Sequence, residues 1–349
     1  MKRVYLAVAL FFVFIAARAD SVDEKVRLAM NRQHIPGLSI AIIKDGKIIK
    51  AAGYGFANVE KKIPATPETI YELASVSKQF VAAGTMLLVE QGKVNLDDPI
   101  AKYLRKTPAA WSNVTVRRLL THTAGFKRDD GLGIRSNPTD AELFEAIAKT
   151  PLQSDPGKEW SYSNAGYNLW SFALTEQVNE SWDKYLTEKI FKPLNMDNTF
   201  HIPTRPVITN FAIGYMTNRS GEHQRAPKIE RTFASGGIAS TVLDMAKWDA
   251  ALYTEQIIKH SSFDNLITPA KLANGDQVKT RTGWSYGLGW GVGTTVNGHK
   301  AMSHNGSRPG FSTYIMRCYE DKLTIVILCN EWKVELGPLG RRVLAEYLP

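Results

Sequence analysis

The chain has 349 residues, 44% of them hydrophobic, and a formal charge of +9, enough apolar material for one large core or two intimately packed domains. Its Lys and Arg residues are dispersed rather than gathered in runs, and helicase, zinc-finger and other nucleic-acid signatures are absent, so no nucleic-acid partner is expected. No His/Cys cluster has metal-ligand spacing, so neither a metal nor a cofactor is expected.

At the start, Lys2 and Arg3 precede the apolar run Val4 to Ala16, and Ala17-Arg18-Ala19 precedes Asp20. This is the form of a secretory signal cleaved near Ala19. The alternative, a membrane anchor, needs roughly 20 apolar residues and the run is well short of that. Residues 1–19 are therefore expected to be removed, leaving residues 20–349 as a secreted or periplasmic domain that is not integral to a membrane. Loss of Lys2, Arg3 and Arg18 leaves +6 of the +9.

A helix is predicted over Val22–Gln33 and a strand over Gly37–Ile43. Asp45-Gly46 then marks a tight turn into a second strand, Lys47–Gly55. A long helix follows at Ser75–Gln91. Further helices are predicted at Thr115–Thr121, Thr139–Lys149, Ala165–Val178, Ser181–Phe191 and Leu243–Thr254. Strands return at Tyr286–Gly293, Ala301–His304, Gly310–Arg317 and Leu323–Cys329, before an amphipathic helix from Leu336 to Tyr347. Strands at both ends with helices between them define an α+β class: one antiparallel sheet from N- and C-terminal segments, flanked by helices, with a helical subdomain inserted at about residues 95–257. Two polar stretches, Lys127–Pro138 and Pro203–Thr232, are long for plain connections and are where substrate-binding walls are expected. Cys318 and Cys329 fall on two runs that pair as a hairpin, about five residues out of step, or roughly 16 Å. Disulfide Cα atoms lie within about 7 Å, so two buried free thiols are expected.

Ser75-Val76-Ser77-Lys78 opens the long helix. Side chains three apart lie one above the other, so Ser75 and Lys78 touch. A serine hydroxyl is a poor nucleophile until its proton is taken, and a desolvated lysine is a suitable base. The helix N-terminus adds backbone N–H groups where an oxyanion would develop. The four-residue pattern also arises by chance, and Ser181-Trp-Asp-Lys184 reads as such a match on a surface helix. What gives Ser75 and Lys78 weight is order: Tyr162-Ser163-Asn164 and His304-Asn305-Gly306 follow downstream.

Tyr162 has an ordinary pKa near 10 and needs a cation beside it to act as a base near neutrality. Asn164 carries both a donor and an acceptor, suited to orienting Lys78 and holding a substrate carbonyl, and it also has the character of a helix cap. His304 and Gly306 are two apart on a strand and so share a face, where the missing side chain at Gly306 lets a substrate backbone approach. Lys44-Asp45-Gly46 reads as a hairpin turn, and His122 as a structural residue at a helix end.

The chain resembles the serine β-lactamase-related family of class C β-lactamases, DD-peptidases, D-aminopeptidases and family VIII carboxylesterases. The matches run in family order: Ser75-Val-Ser-Lys78, Gln91-Gly-Lys-Val-Asn-Leu-Asp-Asp-Pro-Ile100, Leu119-Leu-Thr-His-Thr-Ala-Gly125, Pro156-Gly157, Tyr162-Ser-Asn164, Ser235-Gly-Gly-Ile-Ala-Ser240 and His304-Asn-Gly-Ser-Arg-Pro-Gly-Phe311. The resemblance implies a cleft between a sheet domain and an all-helical domain. It implies Ser75 as the acylated nucleophile, Lys78 as its proton-handling neighbour and Tyr162 as a phenolate stabilised by Lys78. It also implies that the backbone N–H of Ser307 completes an oxyanion hole with that of Ser75.

Many β-lactamases carry Lys where this chain has His304. An imidazole with the ordinary pKa near 6.5 is mostly neutral at pH 7, so recognition of a carboxylate is expected to be weak and to strengthen as pH falls through that value. The expected partner is a small-molecule or short-peptide substrate with an amide or ester bond. A weak β-lactamase and a slow-turnover penicillin-binding sensor are the alternatives.

Overall fold

A computed structural model describes residues 21–128, 137–204, 209–218, 220–227 and 232–348. The expected leader, most of Lys127–Pro138 and part of Pro203–Thr232 lie outside the described residues. The strands are β1 Gly37–Lys44, β2 Lys47–Asn58, β3 Ile63–Pro64, β4 Tyr71–Glu72, β5 Phe200–His201, β6 Tyr215–Thr217, β7 His223–Arg225, β8 Ile238–Ser240, β9 Ser285–Tyr286, β10 Gly291–Thr294, β11 Lys300–Arg308, β12 Phe311–Cys318 and β13 Leu323–Cys329. Helix α1 covers residues 21–33. The others are α2 Lys78–Glu90, α3 Val116–Leu120, α4 Asp140–Lys149, α5 Asn164–Val178, α6 Trp182–Leu186, α7 Val242–Ala251, α8 His260–Ile267 and α9 Gly337–Leu344.

The main sheet is antiparallel in the order β3-β2-β1-β13-β12-β11-β10-β9. The two ends of the chain meet where β1 pairs with β13, from Leu38 opposite Cys329 to Lys44 opposite Leu323. β1, β12 and β13 are buried almost throughout; β1 and β13 accordingly read as near-continuous apolar runs instead of alternating ones, whereas β12 also buries Ser312, Thr313 and Arg317. Successive side chains still point to opposite faces. Leu38, Ile40 and Ile42 pack with Val22 and Val26 of α1 and Leu339 and Val343 of α9, whereas Ala41 and Ile43 join the core built around α2.

α2 is nearly enclosed, with Phe80 edge-on to Phe191 at 5.1 Å and tilted against Trp248 at 5.0 Å. Truncating a side chain like Phe80 costs about 3–5 kcal/mol. Its few polar groups are paired: Gln79 Oε1 accepts from Trp248 Nε1 at 2.7 Å and Thr85 Oγ1 from Trp170 Nε1 at 2.6 Å. Gly84 has no room for a Cβ, which would stand 2.5 Å from Leu186. The helix that starts at the site is thus a rigid floor for it.

Three local differences from the sequence reading have physical causes. The expected helix Ser75–Gln91 begins as a separate 3-10 turn, Ala74–Ser77, before α2. The single strand expected at Tyr286–Gly293 is two, β9 and β10, paired with each other across a turn in which Gly289 takes a φ of +77°. The polar stretch at Pro203–Thr232 contains the hairpin β6–β7, too short to show a period. Cys318 and Cys329 are free and buried, at opposite ends of the β12–β13 pairing.

Candidate active site

Ser75 is presented by a strained turn. Ala74, just before it, takes a φ of +48°, a left-handed conformation that costs on the order of 1–2 kcal/mol for a residue with a Cβ. Hydrogen bonds on each side hold it there. The Leu73 N–H donates to the Ile238 carbonyl at 2.8 Å and the Leu73 carbonyl accepts from Thr313 Oγ1 at 2.7 Å. Ser77 Oγ accepts from the Ile238 N–H at 3.1 Å. The turn that carries Ser75 is therefore stapled to β8 on one side and to β12 on the other.

Lys78 has no exposed surface. Its Nζ donates to Ser75 Oγ at 3.2 Å, to Asn164 Oδ1 at 2.7 Å and to the Ser235 carbonyl at 2.7 Å. It also lies over the Tyr162 ring, 5.0 Å from the centroid, and over the Tyr167 ring at 5.4 Å. Asn164 starts α5, which follows the segment carrying Tyr162. One turn further along α5, Asn168 Oδ1 accepts the N–H of Ser235 at 3.0 Å, fixing the carbonyl that Lys78 uses. Residues 78, 75 and 164 thus form one hydrogen-bonded group, with Tyr162 against its cation.

His304 closes the far side. Its ring centroid is 6.2 Å from that of Tyr162. Nδ1 is 2.8 Å from the Asn305 carbonyl, an acceptor, so Nδ1 carries the hydrogen; Nε2 is 2.8 Å from Tyr286 Oη and accepts from it. Burial, then interaction with Tyr167 and Tyr162, pushes Tyr286 well above the usual phenol range, so it stays a donor. Burial, then the charge of Lys78, lowers the His304 pKa to about 3. Burial thus favours the neutral imidazole, and both its nitrogens are engaged. The value near 6.5 expected for an unperturbed ring does not apply to a histidine enclosed in this way.

β10 pairs with β11 only as far as Gly291 opposite Ser303, so His304 to Arg308 have a strand neighbour, β12, on one side alone. Along this stretch His304 and Gly306 are buried while Asn305 and Ser307 are exposed, the expected alternation. Gly306 has a different role from the one expected. A Cβ there would lie 2.2 Å from the Leu73 carbonyl and 2.3 Å from Thr313 Oγ1. Its missing side chain lets the turn that carries Ser75 pack against β11. Ser307 follows at the open edge. Arg308 pairs with Glu72 at 2.5 Å, so its charge is already balanced. Gly289 makes a matching approach from the β9–β10 turn, where a Cβ would stand 2.9 Å from the Lys78 carbonyl.

Sequence reading singled out Ser75, Lys78, Tyr162 and Asn164, and the structure brings them together. It missed Asn168, Tyr286 and the role of the Ser235 carbonyl, which was quoted only as part of a shared motif. A polar residue one turn after Asn164 on the same helix face is a signal that was there to be used.

The antiparallel sheet flanked by helices, with Ser75, Lys78, Tyr162 and Asn164 gathered beside it, defines an α+β protein. A family model described as Beta-lactamase matches residues 22–348, and the chain belongs to that family. It is 27% identical over 320 residues to Protein flp of Staphylococcus aureus (strain N315), an alignment covering 89% of this chain and 63% of that protein. The chain thus spans less than two thirds of that relative's length. Over 316 residues it is 27% identical to Penicillin-binding protein 4* of Bacillus subtilis (strain 168), covering 84% and 68% of the two chains. Among solved structures, the octameric penicillin-binding protein homologue from Pyrococcus abyssi superposes with a TM-score of 0.84 at 28% identity, over 94% of this chain and 77% of that one. D-amino acid amidase from Ochrobactrum anthropi SV3 superposes with a TM-score of 0.78 at 22% identity, over 94% and 98%, which shows the fold alone.

Proposed function

We propose that this chain is an exported serine hydrolase that forms an acyl-enzyme on Ser75 with small amide or ester substrates, among them short D-amino-acid peptides. The observation that carries the reading is the shell around Lys78. Of the acceptors that Lys78 meets, the Asn164 amide oxygen and the Ser235 carbonyl can only accept, whereas Ser75 Oγ can also give a proton. When the amine is neutral, two hydrogens can stay with these pure acceptors while the lone pair faces Ser75 Oγ.

In the acylation step Ser75 Oγ bonds to the substrate carbonyl carbon, its proton passes to Lys78 Nζ, and the carbonyl electron pair moves onto oxygen. The N–H groups of Ser75 and Ser307 are assigned to that oxyanion. As the C–N or C–O bond breaks, the departing amine or alcohol takes a proton through Tyr162, which Lys78 resupplies. Water then attacks the ester carbonyl along the same relay and restores Ser75.

A neutral His304 and a neutralised Arg308 leave this edge without a fixed charge for a carboxylate, which favours uncharged acyl groups over penicillins and cephalosporins. Residues 1–19 support export. The names of the relatives support a second reading, a protein that is acylated by penicillin and released slowly.

A panel of p-nitrophenyl esters, D- and L-aminoacyl anilides and a chromogenic cephalosporin tests both. Steady hydrolysis of esters or D-aminoacyl anilides is expected, with Ser75→Ala losing at least about 10³-fold in turnover because only binding and oxyanion stabilisation remain. A fluorophosphonate probe should add its mass at Ser75. Labelling that persists in Ser75→Ala rejects the nucleophile, and a burst without steady turnover selects the second reading.

A further inference from the structure

His122 stands just past α3, with its backbone at a φ of +61°. Such a conformation is uncommon for a residue with a Cβ and is held by the surrounding structure. From sequence it is a helix-end residue. The structure gives it three holds on the short segment that carries Tyr162. Its carbonyl accepts the Ser161 N–H at 2.9 Å. Its Nδ1 accepts the Ser163 N–H at 3.3 Å. Its ring lies against the Tyr162 ring, with centroids 4.2 Å apart and planes tilted by 39°. The two hydrogen bonds bracket Tyr162 in the chain and the ring contact sets the phenol between them.

His122 is itself enclosed. It is 3% exposed, with the rings of Tyr286, Tyr167 and Trp160 at 4.8, 5.4 and 6.2 Å. Because Nδ1 accepts, the ring hydrogen is on Nε2, which has no hydrogen-bond partner among the described residues. Burial, then the charge of Lys78 and the neighbouring His304, keeps this imidazole neutral. Neutrality matters to the clamp, since a protonated Nδ1 would turn a hydrogen toward the Ser163 N–H. A phenyl ring would fill the same space but leave that N–H without its acceptor.

Resting on the assignment of Tyr162 as a proton carrier, we infer that His122 is a positioning residue: it holds the Tyr162 phenol where it can exchange a proton with Ser75 and the leaving group, without itself touching substrate. Two variants separate this from general support of the fold. His122→Asn keeps an acceptor at the Nδ1 position and tolerates a positive φ, whereas His122→Ala keeps neither. On a p-nitrophenyl ester, His122→Ala should lower kcat by about 10- to 100-fold with little change in KM, the cost of a misplaced catalytic group. His122→Asn should recover most of the loss. In a Tyr162→Phe background His122→Ala should cost almost nothing more. A full extra loss in that background, or a change in KM alone, overturns the inference.

A readout without turnover completes the test. With 3-fluorotyrosine at position 162, the fluorine resonance should stay narrow in wild type and His122→Asn, and move and broaden in His122→Ala. A resonance unmoved in His122→Ala overturns the positioning role even if activity falls. If the resonance responds but the wild type neither labels nor turns over at Ser75, the positioning of Tyr162 stands and the hydrolase reading falls.

Discussion

Lys78 and Arg317 are both cations with no exposed surface, and they are held in opposite ways. Arg317, on β12, gives its Nε hydrogen to Asp249 Oδ1 of α7 at 2.5 Å and an Nη2 hydrogen to the Asp249 carbonyl at 3.2 Å. Thr324 Oγ1 donates to the same carboxylate oxygen at 2.7 Å, and the Tyr253 ring lies 4.5 Å from the guanidinium carbon. Lys78 donates to dipoles, among them a hydroxyl, an amide oxygen and a backbone carbonyl. A guanidinium does not give up its proton, and one balanced by a buried carboxylate acts as a permanent fastener between helix and sheet. An amine in a shell of dipoles can pass a proton on, because its pure acceptors remain satisfied by the two hydrogens it keeps. The partners thus separate the two buried basic groups where burial alone does not.

The largest effect that would break this contrast is on stability. Asp249→Ala strands a buried guanidinium and should cost about 3–5 kcal/mol in urea unfolding, while the folded fraction turns over much as wild type does. A loss under about 1 kcal/mol would put the pair on the footing of a surface ion pair. Next comes chemistry without much loss of fold. Lys78→Ala and Tyr162→Phe should each lower turnover at least about 10²-fold, since each removes a proton carrier, with melting temperatures well above that of Asp249→Ala. Their effects should not add. A double variant that loses the product of the two single losses would replace a shared relay with independent roles.

What the sequence made legible follows from how local each signal is. Ser75 and Lys78 are three apart, and Tyr162 and Asn164 two apart, so short-range pattern reaches them. β1 and β13 were legible because buried strands leave apolar runs with little interruption. Asn168 and Tyr286 act through tertiary approach: one fixes a carbonyl 67 positions away in the chain, the other bonds a ring 18 positions away. Gly306 was singled out for the right property, an absent Cβ, with the wrong neighbour, because pattern does not say what fills the space. His122 looked like a helix end because its hydrogen bonds to Ser161 and Ser163 have no signature in spacing.

The smallest expected effect concerns the charge read at His304. Burial and Lys78 lower its pKa to about 3, against an ordinary 6.5. The folded ring is therefore neutral where the unfolded one is protonated. The unfolded state binds more protons between those two values, so stability should fall as pH is lowered from about 6.5 toward 3, and part of that fall should be missing in His304→Asn. Between pH 5.5 and 8 the ring does not change charge, so the wild-type ratio of kcat/KM for a cephalosporin to that for an uncharged ester should be flat. Taking the ratio cancels titration of the relay that both substrates share. His304→Lys would offer an ammonium to a carboxylate, while the same burial and the Lys78 charge act against its protonated form, so the rise in that ratio should be at most roughly five-fold, on the order of 1 kcal/mol. The lysine must also do without the Tyr286 hydrogen bond, whose loss should act on both substrates alike. A wild-type ratio that climbs as pH falls through 6.5 would mean that the ring titrates as an exposed histidine does. The Tyr286–His304–Asn305 chain would then not hold in solution, and weak binding of carboxylate substrates would need another cause.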